Sequence, residues 1–365
     1  MRVLFALPGL HRYERGAEIA FISIARELAK AGDAVTLIGS GRTRDGEPYR
    51  FLHAGSLARE TFESFPSIPA LRNECAYEEL TFIPGLLRQY RPAEYDMTLT
   101  CSYPFTNWML RHPAWSGPRP PHVFITQNGD WPAYSNSREY RLFGCEGLVC
   151  TNPDFYERNK ARWRCRMIPN GVDCTRFQPG MPQRQAFGLP ADRPIVLMVS
   201  ALIPSKRVEI GIEAVSRIPD AHLVVAGDGP LRQACDELAA RLLPDKYTRL
   251  SLTPDRMPAL YQSADVFLHL SKEESFGNVY VEALACGLPV VGHDSPRLRW
   301  IVGDDEFLLD TVDPAAIARH IGLARQAPAA GRQARTNKAA RFSWSKIGES
   351  YREFLREVVA QPRPT

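Results

Sequence analysis

Ser271-Lys272-Glu273-Glu274-Ser275-Phe276-Gly277-Asn278-Val279-Tyr280-Val281-Glu282-Ala283-Leu284-Ala285-Cys286-Gly287-Leu288-Pro289-Val290-Val291 is the stretch whose reading decides the fold. The apolar run 266–269 precedes it and a second, 290–292, closes it, so the order is strand, loop, helix, strand. Gly277 allows close backbone approach where the loop meets the helix, and Gly287-Leu288-Pro289 stops that helix. Free N–H groups and the positive end of the helix dipole near residues 277–279 favour a phosphate. Glu282 lies about one and a half turns into the helix, where a carboxylate can accept two hydroxyl hydrogen bonds, as from a ribose. Glu274, in the loop, can do the same for another sugar.

Outward from this stretch, the same alternation repeats. The second half reads as strands over 195–200, 223–226, 250–252, 266–269 and 290–292, with helices near 208–215, 231–242 and 277–285. The first half reads as strands over 3–7, 35–39, 97–101, 123–127, 148–151 and 167–169. Its clearest helix is 18–30, where Ile19, Ile22, Ala25, Leu28 and Ala29 fall at helical spacing and Gly32 follows as a stop. A proline- and glycine-rich stretch, 178–194, separates the halves and reads as a linker. The last helix, 344–359, carries Ile347, Tyr351, Phe354, Leu355 and Val358 on one face. This pattern predicts an α/β protein of two doubly wound domains. Such sheets bind ligands at the carboxyl ends of their strands, so facing domains would enclose a substrate in a cleft.

Glu274 and Glu282 form an E-x7-E pair, and 274–291 resembles the donor-binding signature of retaining glycosyltransferases of family four, which have the GT-B fold. Ile168-Pro169-Asn170-Gly171-Val172-Asp173 is similar to that family's end of the first domain, and Val225-Ala226-Gly227-Asp228-Gly229-Pro230 to a turn of the second. Phe342-Ser343-Trp344 resembles the family's C-terminal crossover, which packs back on the first domain. The resemblance implies two Rossmann-like domains: 1–177 on the acceptor side, a linker 178–194, 195–342 on the donor side, and a crossover helix 343–365. It further implies a nucleotide diphosphate sugar as co-substrate, with Glu274 at the chemistry and Gly16, Phe276, Gly277, Asn278, Val279 and Glu282 around the donor.

Cations must face the departing diphosphate, and no D-x-D pattern suggests a metal for the task. Lys206 and Arg207 are the candidates, and no cofactor is expected. Two positions depart from the family: Ala201 stands where an arginine is common, and Arg207 where glycine is more usual. Gln127 ends a strand where relatives commonly carry histidine, which removes an imidazole base. The family is thought to follow a front-face path in which the leaving phosphate itself accepts the acceptor's proton, and that path needs no such base. Gln127, Asn128, Asp130, Trp131 and Tyr134 are the candidate acceptor residues, aromatics beside polar groups at a strand's carboxyl end.

The chain has 365 residues, 44% hydrophobic and 24% charged with a net charge of +4, which suits a large core and gives no sign of a nucleic-acid surface. Eight cysteines show no C-x-x-C pair, as in a reducing compartment. No segment is long and apolar enough for a membrane span, so the expected location is cytoplasmic, with peripheral contact to a membrane surface left open by the basic run Arg158, Lys160, Arg162, Arg164, Arg166. The alternatives to a glycosyltransferase are a sugar-nucleotide epimerase on the same scaffold and a catalytically silent nucleotide-sugar-binding protein.

Overall fold

The structure, a computed structural model, describes residues 1–112 and 118–361. The chain forms two units, one of residues 1–170 with 344–365 and one of residues 171–343. Residues 362–365 of the expected crossover segment lie outside the described residues.

The first unit is built on seven strands: β1 (Arg2–Ala6), β2 (Ala34–Gly39), β3 (Arg50–His53), β4 (Met97–Thr100), β5 (His122–Ile125), β6 (Gly147–Cys150) and β7 (Cys165–Met167). All pairs are parallel, in the order β3-β2-β1-β4-β5-β6-β7. Val3, Leu4, Phe5 and Ala6 of β1 are fully buried, the continuous apolar run of a strand covered on both faces. Its helices are α1 (Gly16–Lys30), α2 (Glu74–Gln89), α3 (Phe105–Arg111), α4 (Trp131–Tyr134) and α5 (Pro153–Asn159).

The second unit has six parallel strands: β8 (Ile195–Val199), β9 (His222–Ala226), β10 (Tyr247–Leu250), β11 (Val266–His269), β12 (Val290–His293) and β13 (Phe307–Leu309). Their order is β10-β9-β8-β11-β12-β13. Around them lie α6 (Val208–Val215), α7 (Arg232–Leu242), α8 (Met257–Gln262), α9 (Asn278–Ala285), α10 (Pro296–Val302), α11 (Pro314–Arg325) and α12 (Ala330–Ala339). In both sheets the order runs outward to one side and then to the other, the Rossmann-like arrangement, and the direction reverses between β1 and β4 and between β8 and β11.

The final helix, α13 (Trp344–Ala360), belongs to the first unit. Its Ile347, Tyr351, Phe354, Leu355 and Val358 share a core with Phe21, Ile24, Ala25 and Leu28 of α1. Close approach depends on small residues: a Cβ at Gly348 would lie 2.5 Å from Glu27 Cβ, and one at Gly147 would lie 2.8 Å from Val358 Cγ2.

Residues 178–194 lie within the second unit instead of forming a free linker. Phe187 and Leu189 are buried in its core beside Leu197 and Tyr261. Arg184 donates to Asp265 Oδ2 at 2.7 Å and to the Ser263 carbonyl at 3.1 Å. The chain therefore passes between units at Asn170–Gly171 and again at Ser343–Trp344. Just inside the second unit the two passages run side by side, with the Val172 N–H donating to the Phe342 carbonyl at 2.8 Å.

Candidate active site

The loops after β8 and β11 leave the sheet where its order reverses, the position at which open α/β sheets bind ligands. The loop after β8 is held by the turn after β9, where the Leu202 N–H donates to the Asp228 carbonyl at 2.9 Å. A Cβ at Gly229 would stand 2.6 Å from the Leu202 carbonyl oxygen, which explains glycine there. This loop ends in a single 3₁₀ turn over Pro204–Lys206. It places the Lys206 ammonium on the Glu274 carboxylate.

Glu274 sits in the loop between β11 and α9. Its Oε1 accepts from Lys206 Nζ and from His269 Nε2, the latter at 2.8 Å. Arg297, on α10, donates to the Glu274 carbonyl. Burial raises the affinity of this carboxyl for its proton, but the His269 and Lys206 contacts outweigh that and hold it down to about 2. Ser271, Lys272, Glu274, Phe276, Tyr280 and Arg297 contribute to the walls of a small pocket at this end of the sheet.

Gly277 precedes α9 with φ 94° and ψ 60°, the left-handed region that favours glycine. A Cβ there would also lie 2.7 Å from the Tyr280 ring. Asn278 and Val279 open the helix, so the N-terminus of α9 lies four residues beyond Glu274, after a loop that the Glu274 contacts hold. Glu282 follows on the same helix and is half-buried. Its Oε2 accepts from the Tyr261 hydroxyl at 2.8 Å. Burial pushes the Glu282 carboxyl up, opposed by that hydrogen bond.

Two residues expected at the donor are held by contacts within the second unit. The Arg207 guanidinium donates to the Leu270 carbonyl at 3.2 Å, to Thr311 Oγ1 at 2.6 Å and to the Thr311 carbonyl at 2.5 Å. Phe276 is 2% exposed, and its ring packs edge-on to Phe342 at 5.6 Å and Trp300 at 6.2 Å, so it anchors the loop from the core side.

The other expected residues belong to the first unit. Gly16 is the first residue of α1, and Glu18 in the first turn is buried, 3% exposed, close enough to Gly9 that a Cβ there would meet its Oε1 at 2.0 Å. Gln127 and Asp130 are held by hydrogen bonds within the first unit. Gln127 exchanges two amide hydrogen bonds with Asn170, at 2.5 and 2.9 Å. Asp130 is 1% exposed and accepts from Arg158 at 2.7 and 2.9 Å and from Asn159 at 2.7 Å. Asn128, Trp131 and Tyr134 remain exposed beyond the carboxyl end of β5.

His269 and Arg297 are the functional candidates that sequence reasoning passed over. The signal for His269 was present: a polar residue closing an otherwise apolar, buried strand, five positions before Glu274. Arg297 carries no such signal, because α10 brings it back from 23 residues further along the chain.

Two family models match the chain: Glycosyltransferase Family 4 over residues 15–176 and Glycosyl transferases group 1 over residues 182–341. The D-inositol 3-phosphate glycosyltransferase of Mycobacteroides abscessus is 33% identical, across 96% of this chain and 87% of its own length. The lipopolysaccharide core biosynthesis glycosyltransferase LpsE of Rhizobium meliloti is 29% identical, across 65% of this chain and 68% of its own. Among solved structures, sucrose-phosphate synthase from Thermosynechococcus elongatus superposes with a TM-score of 0.77 at 21% identity, covering 98% of this chain and 99% of the other. HepE from Anabaena, in complex with UDP-glucose, gives 0.74 at 20% identity, covering 98% and 100%.

Proposed function

The chain belongs to the family 4, group 1 glycosyltransferases, and from that premise we propose that it moves a sugar from a nucleoside diphosphate sugar to a hydroxyl acceptor, with retention at the anomeric carbon and without a metal ion. The observation that carries the reading is the meeting of Lys206, His269 and Glu274 where the order of the second sheet reverses, with the start of α9 and Glu282 beyond. Glu282 Oε1 accepts a ribose hydroxyl. The N–H groups of Asn278 and Val279, with Lys206 and Arg297, face the diphosphate charge. Lys206 and His269 both bond Glu274 Oε1, and Oε2 accepts from a hydroxyl of the transferred sugar.

In the front-face path the bond from the anomeric carbon to the phosphate oxygen breaks, and the acceptor oxygen bonds the same face. The acceptor's proton passes to the departing phosphate, so no side-chain base is required. That agrees with Gln127 being tied to Asn170. The UDP-glucose complex of HepE supports a nucleotide-sugar donor here. Among the described residues no helix is long and apolar enough to cross a membrane.

The test is turnover with UDP-, GDP-, ADP- and TDP-sugars, ranked first by thermal shift, since a donor at about 100 times its Kd adds ~2.7 kcal/mol of stability. We expect one donor class to give product with the donor's anomeric configuration by NMR, at a rate unchanged by chelator. Inverted product, or activity lost to chelator and restored by magnesium or manganese, would overturn the corresponding part of the reading.

A further inference from the structure

Glu274 is the carboxylate nearest the proposed chemistry, yet it stands in a loop, where an unsupported side chain samples several rotamers. Two donors limit it, and both converge on Oε1. They are not equivalent. Lys206 is a flexible ammonium on a four-carbon stem whose charge is also drawn to a donor's phosphates. His269 is the last residue of β11, buried to 2% exposure, and has no such freedom. Its ring stacks on Phe267 at 6.2 Å and meets the Tyr280 edge at 5.1 Å. Its Nδ1 is buried with no hydrogen-bond partner, so Nε2 is the only ring nitrogen engaged. Because a carboxylate only accepts, Nε2 carries the hydrogen of this bond.

We propose that His269 is a positioning residue of this enzyme: through Nε2–H it pins Glu274 Oε1 to the rigid end of β11, so that Oε2 stays aimed at the transferred sugar when Lys206 turns to the diphosphate. The inference rests on the reading of Glu274 as a substrate contact. It adds a role for a residue that touches no substrate and acts only through Glu274. Other charged or titratable groups around this carboxylate are Lys206 from the turn before α6, Lys272 in its own loop, Tyr280 of α9, His293 ending β12, and Arg297 of α10 on the Glu274 carbonyl. Of these, Lys206 hydrogen-bonds the carboxylate itself.

The experiment compares full-length wild type with Glu274→Gln, His269→Ala, His269→Gln and His269→Asn, measuring kcat and KM against pH and folding by circular dichroism. Glutamine can place its amide N–H near the position of Nε2, whereas asparagine reaches only the position of Nδ1. We expect His269→Ala to lower kcat ~10–100-fold, with donor KM little changed, and to move the acid limb of the rate profile up by about a pH unit or more. His269→Gln should recover most of both, and His269→Asn neither. A folded His269→Ala enzyme with wild-type kcat and an unmoved acid limb overturns the proposal. Should the alanine variant fail to fold, equal rates and equal acid limbs for the glutamine and asparagine variants overturn it instead. Full turnover by Glu274→Gln would be a different failure, that of Glu274 as a substrate contact.

Discussion

Lys206 and Arg207 are adjacent cations with opposite assignments, and backbone geometry separates them. Arg207 has φ 56° and ψ 40°, so a non-glycine residue sits in the left-handed region that favours glycine. Its three hydrogen bonds to Leu270 and Thr311 offset that strain and join the turn before α6 to the ends of β11 and β13. Arg207→Gly therefore relieves roughly 1 kcal/mol of strain while losing charged hydrogen bonds worth about 1.5–3 kcal/mol each. Its expected result is a lower Tm with nucleoside diphosphate affinity nearly intact by calorimetry. Lys206→Ala should abolish turnover, and by removing the ion pair to Glu274 it should lower Tm as well. Glu282→Ala removes a charged acceptor from the proposed ribose contact, a loss of about 1.5–3 kcal/mol, or roughly 10–200-fold in nucleotide affinity. Unchanged affinity in a folded variant would remove Glu282 from the site. The pH dependence of Glu274 has a definite sign. Its folded value, about 2, lies below the ordinary 4.5, so its ion-pair stabilisation is present above pH 4.5 and disappears as pH falls toward 2. Acid titration of Tm should show that loss in wild type and less of it in Glu274→Gln.

Elements were legible where apolar periodicity was uninterrupted and obscure where local chemistry contradicted it. The predicted strand 266–269 and the helix ending at residue 285 match β11 and α9 because both are largely buried and apolar, and Gly287-Leu288-Pro289 closes the helix. The predicted helix 18–30 is α1, two residues short at its start. Nothing in the sequence reading placed α2, and the cause is Pro84-Gly85, a breaker pair lying inside the helix. Packing explains the glycine, since a Cβ at Gly85 would stand 3.0 Å from Ala54 Cα. The edge strands β3 and β13 also escaped notice, being four and three residues long with partly exposed side chains. Strands expected over 167–169 and 250–252 lie earlier, as β7 and β10, since pairing with β6 and β9 sets their register. The missed α2 carries its own prediction. Glu79 is buried and accepts from the Thr106 N–H at the start of α3 at 3.1 Å, and burial raises its carboxyl to about 8. A carboxyl whose folded value lies above its unfolded one costs stability as pH rises from about 4.5 to 8. Glu79→Gln keeps an acceptor for Thr106 and removes the charge, so it should raise Tm at pH 8 more than at pH 5.

At the scale of the whole chain, the first unit is discontinuous in sequence and the second is not. Residues 171–343 contain both sides of every contact proposed for the nucleotide: Lys206, Glu274, the start of α9 and Glu282. Residues 1–170 lack α13, which returns from the far end of the chain to cover the sheet beside α1. Ending the chain at Ser343 would strip Ile347, Tyr351, Phe354, Leu355 and Val358 from that core. At about 1.5–3 kcal/mol for each buried side chain, the loss is of order 7–15 kcal/mol, as large as the whole stability of a typical domain. It would also leave Asp33, 6% exposed, without Arg352, whose Nε donates to it at 3.0 Å. Truncation after residue 343 should therefore unfold the first unit alone. Calorimetry of the full chain and of the truncated one is the check, together with limited proteolysis. The transition belonging to the first unit should vanish, cleavage should concentrate in residues 1–170, and residues 171–343 should stay protected and still bind nucleoside diphosphate. A truncated chain that keeps both transitions would show that the α1–α13 interface carries little of the first unit's stability.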